Sequence, residues 1–291
     1  MPAGDPIVTS HGGKTSFEDI YNRQDPRAYF RALRPLDYQI PQHGRRVFGA
    51  LLAALRRRYP QQDPITVLDV CCGYGITAAL LNHRLCLEDL YRRYGSDELT
   101  LTAPDELAKL DGAYFAGARV TDPVPVIGLD IAKKAIDYAV RVGLLEVGFA
   151  ENLETSAPSG ALRAAVAPAT LVTIAGGISY LTEKTLQQIM DAVAGPVWVA
   201  AFVLRTVSYQ RFADVLGRSG LVTERSSFTV PQRKFSDPEE RRFALQELAR
   251  VGADPTGREL KGYYHAELFL SRPARDAAEL PLERLCSAAP G

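Results

Sequence analysis

An apolar run, Ile65-Thr66-Val67-Leu68-Asp69-Val70, stops at Cys71-Cys72-Gly73-Tyr74-Gly75 and gives way to a helical pattern over 76–85. Strand, tight turn and helix in that order open a parallel sheet, because parallel neighbours must be joined by a covering crossover. The pattern continues. Short apolar runs at 124–129, 147–150, 171–174 and 197–204 alternate with helical spacing at 132–142, 183–194 and 209–216. The end differs: runs at 227–230 and 263–271 flank a helix over 238–251. The expected fold is α/β, a seven-stranded, mostly parallel sheet with an antiparallel terminal strand.

Residues 16–60 are expected to form an N-terminal helical cap, or lid, on this sheet. Ser16 and Asp19 suit a capping box, Pro26 and Pro41 suit first helical turns, and Tyr21, Tyr29, Phe30 and Leu33 give an aromatic face. Residues 87–118 read as a helical insertion. Residues 1–15 and 273–291, rich in small and polar types, read as flexible tails around a single domain at 16–272.

Composition narrows the partners. The chain has 291 residues with 34 Lys+Arg against 34 Asp+Glu, so it lacks the basic excess of a nucleic-acid binder. No apolar run approaches the roughly 20 residues of a membrane span. The start lacks the apolar stretch of a signal peptide, and four cysteines, of which Cys71 and Cys72 are neighbours poorly placed to bridge each other while Cys86 and Cys286 stand alone, suit a reduced compartment. A cytoplasmic protein acting on a small molecule, with no membrane or nucleic-acid partner, is expected. His11, His43, His83 and His265 show no zinc spacing with the cysteines, so no metal is expected.

The turn at 71–75 is where an open α/β sheet binds ligands. A dinucleotide fingerprint would need glycine at 71, 73 and 76, where this chain has Cys, Gly and Ile. A phosphate loop is absent too. The stretch instead resembles the first motif of class I S-adenosylmethionine (SAM)-dependent methyltransferases, acid-x-Gly-x-Gly-x-Gly, with Asp69, Gly73 and Gly75 matching and Cys71 in place of the first glycine. The resemblance covers roughly residues 40–271 and implies the Rossmann-like fold of that family, with SAM as the cofactor or substrate. It places the turn under the methionyl part of SAM, Asp130 at the ribose hydroxyls with Ile131 beside it, and Glu151 and Asn152 in the adenine-side segment. Phe149 stands where the family has an acid. Gly176 to Tyr180 falls at the family's fourth motif, without the Pro-Pro-Tyr/Phe of amide and base methylases.

Two chemistries follow from that resemblance. One is methyl transfer to a small-molecule acceptor. The other needs no acceptor: the α-amine of SAM attacks its own γ-carbon and gives azetidine-2-carboxylate and 5′-methylthioadenosine. Asp25-Pro26-Arg27 and Leu36-Asp37-Tyr38-Gln39-Ile40-Pro41 resemble a segment of the SAM-cyclising azetidine-2-carboxylate synthases of bacterial secondary metabolism, and of many methyltransferase-like proteins. Cyclisation calls for neutral hydrogen-bonding groups around the amine and aromatic faces near the sulfonium. Tyr180, Ser208, Asn152 and Tyr21 are the catalytic candidates, and cyclisation is the favoured reading. A SAM-binding scaffold without catalysis is the non-enzyme alternative.

Overall fold

The computed structural model describes residues 10–11, 14–15, 18–62 and 64–287. Seven strands form the main sheet: β1 (Thr66–Val70), β2 (Val126–Asp130), β3 (Val147–Ala150), β4 (Ala169–Ala175), β5 (Trp198–Leu204), β6 (Leu221–Lys234) and β7 (Tyr263–Pro273). Their order is β3-β2-β1-β4-β5-β7-β6. The first five pair in parallel, while β7 runs antiparallel to both β5 and β6. The chain leaves β1 toward one edge and returns to β4 on the other side. A crevice therefore opens between the carboxyl ends of β1 and β4.

Helices cover both faces: α1 (Glu18–Tyr21), α2 (Arg27–Leu33), α3 (Ile40–Arg58), α4 (Ile76–Asn82), α5 (Leu87–Tyr94), α6 (Pro104–Ala118), α7 (Lys133–Arg141), α8 (Gly160–Val166), α9 (Glu183–Ala192), α10 (Gln210–Arg218), α11 (Pro238–Arg250), α12 (Ala274–Glu279) and α13 (Leu282–Ser287). Val67, Trp198, Ala200 and Phe202 face one apolar core, beneath the cap and α4. Leu68, Val172, Val199 and Val203 alternate onto the other, beneath α8 to α10. This period-two division buries both faces of the central strands. Among the described residues, no helix is long and apolar enough to cross a membrane.

Several expectations need correction. Residues 273–287 are not a loose tail: α12 and α13 dock on the sheet, with Leu282 and Leu285 buried. Asp276 is only 2% exposed and accepts hydrogen bonds from Trp198 Nε1 (2.8 Å), Tyr59 Oη (2.5 Å) and Arg58 Nε (2.7 Å). One of three acids in a short stretch, Asp276 gives no sign that donors over 70 residues away will bury it. The strand expected at 227–230 is the middle of the 14-residue β6. The helix after the turn stops at Asn82, because His83 is extended and bridges Arg119. Helix α8, begun by Ser159 accepting from Leu162 N (3.0 Å), falls where no periodic run announces an element. Of the expected tail 1–15, Ser10–His11 pairs with Lys14–Thr15. The rest of it, with Ser16 and Phe17, lies outside the described residues.

The cap is tied down at several points. Tyr29, Phe30 and Leu33 are buried, and Phe30 stacks on Tyr94 with ring centroids 4.6 Å apart. Arg27 pairs with Asp25 and donates to Leu99 O (2.6 Å) and Thr102 O (2.9 Å) in the insertion. Tyr74 Oη donates to Ile20 O (2.9 Å) and accepts from Arg23 N (3.0 Å). The link between α2 and α3 runs along β6, with Gln39 N donating to Gln232 O (2.8 Å) and Lys234 N to Leu36 O (2.7 Å).

Candidate active site

The floor of the crevice is the turn after β1. Cys71, Gly73 and Gly75 all adopt positive φ, at 56°, 50° and 73°. Gly73 and Gly75 take this region freely, whereas a Cβ makes it costly for Cys71, by about 1–2 kcal/mol. Cys71 N donates to Leu129 O (2.8 Å), which holds the backbone in place. A β-carbon built on Gly177 would stand 2.4 Å from Cys71 Cβ. The glycine missing at 71 is thus matched by a glycine across the crevice, where the Cys71 side chain needs the room.

Asp69 lies beneath the turn, 1% exposed, and accepts from Thr173 Oγ1 (2.7 Å) on the adjoining β4. Burial pushes its carboxyl up to about 7; the Thr173 and Thr77 hydroxyls oppose that rise, and the charge of Asp130 adds to it. Asp69 supports the turn from below. At the end of β2, Asp130 accepts from Gly73 N (Oδ2, 2.8 Å) and Ala132 N (Oδ1, 2.8 Å), so it ties the two strand ends together. Each of its oxygens keeps a further acceptor position. Burial raises its pKa, against the backbone hydrogen bonds. The neighbouring Ile131 is 68% exposed, an apolar plate at the rim.

On the β3 side the candidates are occupied by the loop itself. Glu151 accepts from Ser159 N (Oε2, 2.9 Å) and Ser159 Oγ (Oε1, 2.6 Å), just before α8. Asn152 Oδ1 accepts from Glu154 N (2.9 Å), the geometry of an Asx turn. Glu154, which carries no signal in the sequence, joins this loop to the next by accepting from Thr182 N (2.9 Å) and Thr185 Oγ1 (2.6 Å). Ser208 is not brought to the turn. Its hydroxyl accepts from Gln210 N (3.3 Å), and it lines a separate cavity of about 620 Å³ with Arg205, Tyr209, Arg225 and Phe269.

The roof comes from the cap and β6. A β-carbon built on Gly73 would lie 3.2 Å from two atoms of the Tyr21 ring, so that ring covers the turn. Burial pushes the Tyr21 phenol well above its ordinary range; Tyr38, Tyr180, Asp130 and Cys71 add to the rise. Tyr38 Oη reaches Ala175 O (3.4 Å), and burial raises its pKa as well. Gly176 has φ 94°, and a β-carbon there would stand 3.1 Å from Tyr38 Oη and 3.4 Å from Gln232 Nε2. Tyr180 closes the short helix Ile178–Tyr180 and is 49% exposed, at the mouth. Tyr21, Tyr38 and Tyr180 therefore gather over the turn, with Gln232 beside them.

The strand order and the turn between β1 and α4 give the Rossmann-like, mostly parallel sheet with an antiparallel terminal pair that the sequence leads one to expect. No family model and no curated protein matches the chain. Solved structures do. The plantazolicin methyltransferase BpumL in complex with SAH is 11% identical over 80% of this chain and 85% of its own, with a TM-score of 0.42. Magnesium protoporphyrin IX methyltransferase (ChlM) from Synechocystis PCC 6803, with bound SAM, is 13% identical over 79% and 80%, with a TM-score of 0.37. The O-methyltransferase TomG from Streptomyces achromogenes, in complex with SAM, is 13% identical over 77% and 78%, with a TM-score of 0.36.

Proposed function

We propose that the chain is an enzyme that uses SAM as a substrate and cyclises it to azetidine-2-carboxylate. The observation that carries SAM use is the turn at 71–75 with its three left-handed residues, flanked by Asp130 with acceptor positions to spare. Gly73 and Gly75 allow the left-handed turn itself, with the Tyr21 ring against Gly73 and Ala139 and Leu144 against Gly75. Asp130 can accept from ribose hydroxyls, and exposed Ile131 offers a face for the base. Glu151 and Asn152 then shape the adenine-side loop rather than touch the ligand.

Cyclisation is supported by the roof. The groups over the turn are phenols, of which Tyr21 and Tyr38 have their pKa values raised by burial, together with an amide. Their aromatic faces suit a sulfonium, and they supply no fixed negative charge that would hold the SAM amine protonated. The ammonium first gives one proton to solvent, which a pKa near 8 makes easy at neutral pH. The amine lone pair then forms the N–Cγ bond while the Cγ–S bond breaks and its electron pair goes to sulfur. Azetidine-2-carboxylate leaves with its ring nitrogen protonated, and methylthioadenosine leaves neutral. Tyr21, held over Gly73, folds the methionyl chain toward that geometry; Tyr180 shields the mouth.

Methyl transfer to a small-molecule acceptor is the second reading. It is favoured by the half-exposed Tyr180, which leaves a way in. Incubation of the pure protein with SAM alone, followed by mass spectrometry, separates them. Azetidine-2-carboxylate with methylthioadenosine above the enzyme-free background is expected. Intact SAM, turning to S-adenosylhomocysteine only when acceptors are added, would select methyl transfer. Affinity for SAM without either product would leave a binding scaffold.

A further inference from the structure

Tyr74 stands in the middle of the floor turn, between Gly73 and Gly75, and is buried. The turn holds its backbone in place: Gly75 N donates to Cys72 O (2.9 Å) and Gly73 N to Asp130 Oδ2 (2.8 Å). The Tyr74 ring lies edge-on to Tyr29, with centroids 6.1 Å apart, and to Tyr138, at 5.8 Å. At its far end Oη donates to Ile20 O (2.9 Å), with Arg23 O at 3.2 Å, and accepts from Arg23 N (3.0 Å). One phenol rooted in the floor thus grips the chain on both sides of Tyr21. Tyr21 needs that grip, because α1 is four residues long and a single helical turn does not hold itself in water. The Tyr21 ring meets Tyr29 edge-on at 5.3 Å, and Asn22 Oδ1 accepts from Lys134 N (3.1 Å) on α7. The Tyr74 bonds tie the same segment to the turn itself. Over Gly73 the Tyr21 ring is the first group of the cap, 3.2 Å from the place of a β-carbon.

We propose that Tyr74 is a positioning residue of the SAM site: rooted in the floor turn, its hydroxyl sets the Tyr21 ring over the methionyl chain of SAM. This rests on the reading of SAM as substrate and adds the group that couples floor to roof. The coupling has a chemical use. A folded methionyl chain keeps its shape only while the surfaces around it keep their spacing, and one side chain that joins both surfaces fixes that spacing. A phenol suits the task, because a rigid ring carries a hydroxyl that donates to a carbonyl and accepts from an N–H at once.

The test is a double-mutant cycle on the full-length protein, with SAM affinity read by calorimetry and, in parallel, backbone amide exchange read by mass spectrometry before SAM is added. Tyr74→Phe keeps the ring and removes the hydroxyl. It should speed exchange of the Arg23 amide by about ten-fold, the scale of one lost hydrogen bond, and leave α2 and α3 unchanged. It should weaken SAM binding by about ten-fold, and so should Tyr21→Ala. The double variant should bind within about two-fold of Tyr21→Ala alone, because without the ring the hydroxyl has nothing to place. Losses that multiply would make Tyr74 purely structural and overturn the proposal. So would unchanged SAM affinity, or unchanged exchange at Arg23, in Tyr74→Phe. If Tyr74→Phe does not fold, Asn22→Ala decides: it loses the bond from Lys134 N and keeps the Tyr74 grip, so SAM affinity should stay within about two-fold. A loss of about ten-fold there would make Asn22, not Tyr74, the positioning group. A wild type that does not bind SAM would instead overturn the SAM reading itself, even with the Arg23 amide protected.

Discussion

The floor and the roof of the crevice are built in opposite ways. The floor is largely local: seven consecutive residues, 69–75, supply the supporting acid, the turn and the helix start, with Leu129 O and Asp130 reaching in from β2 and Thr173 from β4. The roof is assembled from Tyr21 and Tyr38 in the cap, Tyr180 after β4, and Gln232 on β6. These lie up to about 200 positions apart and meet through the bonds between β6 and the 36–39 segment and those that tie Tyr74 to the chain on either side of Tyr21. A local floor can serve any reaction of the same ligand. The roof is where reactions differ, and its positions depend on the whole fold.

The largest expected effect is on the roof's support. Arg233 and Glu240 are both nearly fully buried, so Glu240→Ala strips a buried guanidinium of its carboxylate. It should cost about 3–5 kcal/mol in urea unfolding. A loss under 1 kcal/mol would show that the roof stands without this pair.

Next comes the floor, through Asp69. Its pKa of about 7 lies above the ~3.9 of an unfolded aspartate, so the folded chain keeps the proton after the unfolded one has shed it. Asp69's contribution to stability therefore falls as pH rises from about 4 to 7 and is flat beyond. The loss reaches up to about 4 kcal/mol. Asp69→Asn should remove this component. If unfolding free energies of the two proteins keep a constant difference from pH 4 to 8, the carboxyl titrates normally.

Asp130→Ala should weaken SAM binding by about 1–3 kcal/mol in calorimetry, and unchanged affinity would detach the ribose from this strand end. The smallest contrast pairs two residues that the sequence ranks as equals. Tyr180→Phe should slow turnover several-fold while changing SAM affinity little. Ser208→Ala, whose hydroxyl serves the start of α10, should leave turnover within about two-fold. A reversed order would move the chemistry into the Ser208 cavity.

Much of this is legible in the sequence because period and punctuation are local. The parallel half can be read from apolar runs that each stop at a turn, and Asp69, Gly73, Gly75 and Asp130 from their places at strand ends. Glu151, Asn152 and Ser208 look alike from sequence; only hydrogen-bond partners show that all three serve loops or helix starts. Gln232 and Thr173 give no signal. A polar residue in a strand reads as solvent-facing until the sheet order is known, and β6 pairs with a strand some 40 residues later. Asp276 is hidden for the same reason.

The hydrogen bonds from Gln39 and to Leu36 have a consequence apart from any ligand. β6 is a 14-residue strand at the edge of the sheet, and long open edges invite pairing between molecules. By occupying Gln232 O and Lys234 N, the segment at 36–39 acts as a blocking strip along that edge. The stretch that shelters the crevice thus also helps keep one copy of the protein from adding its sheet to another's.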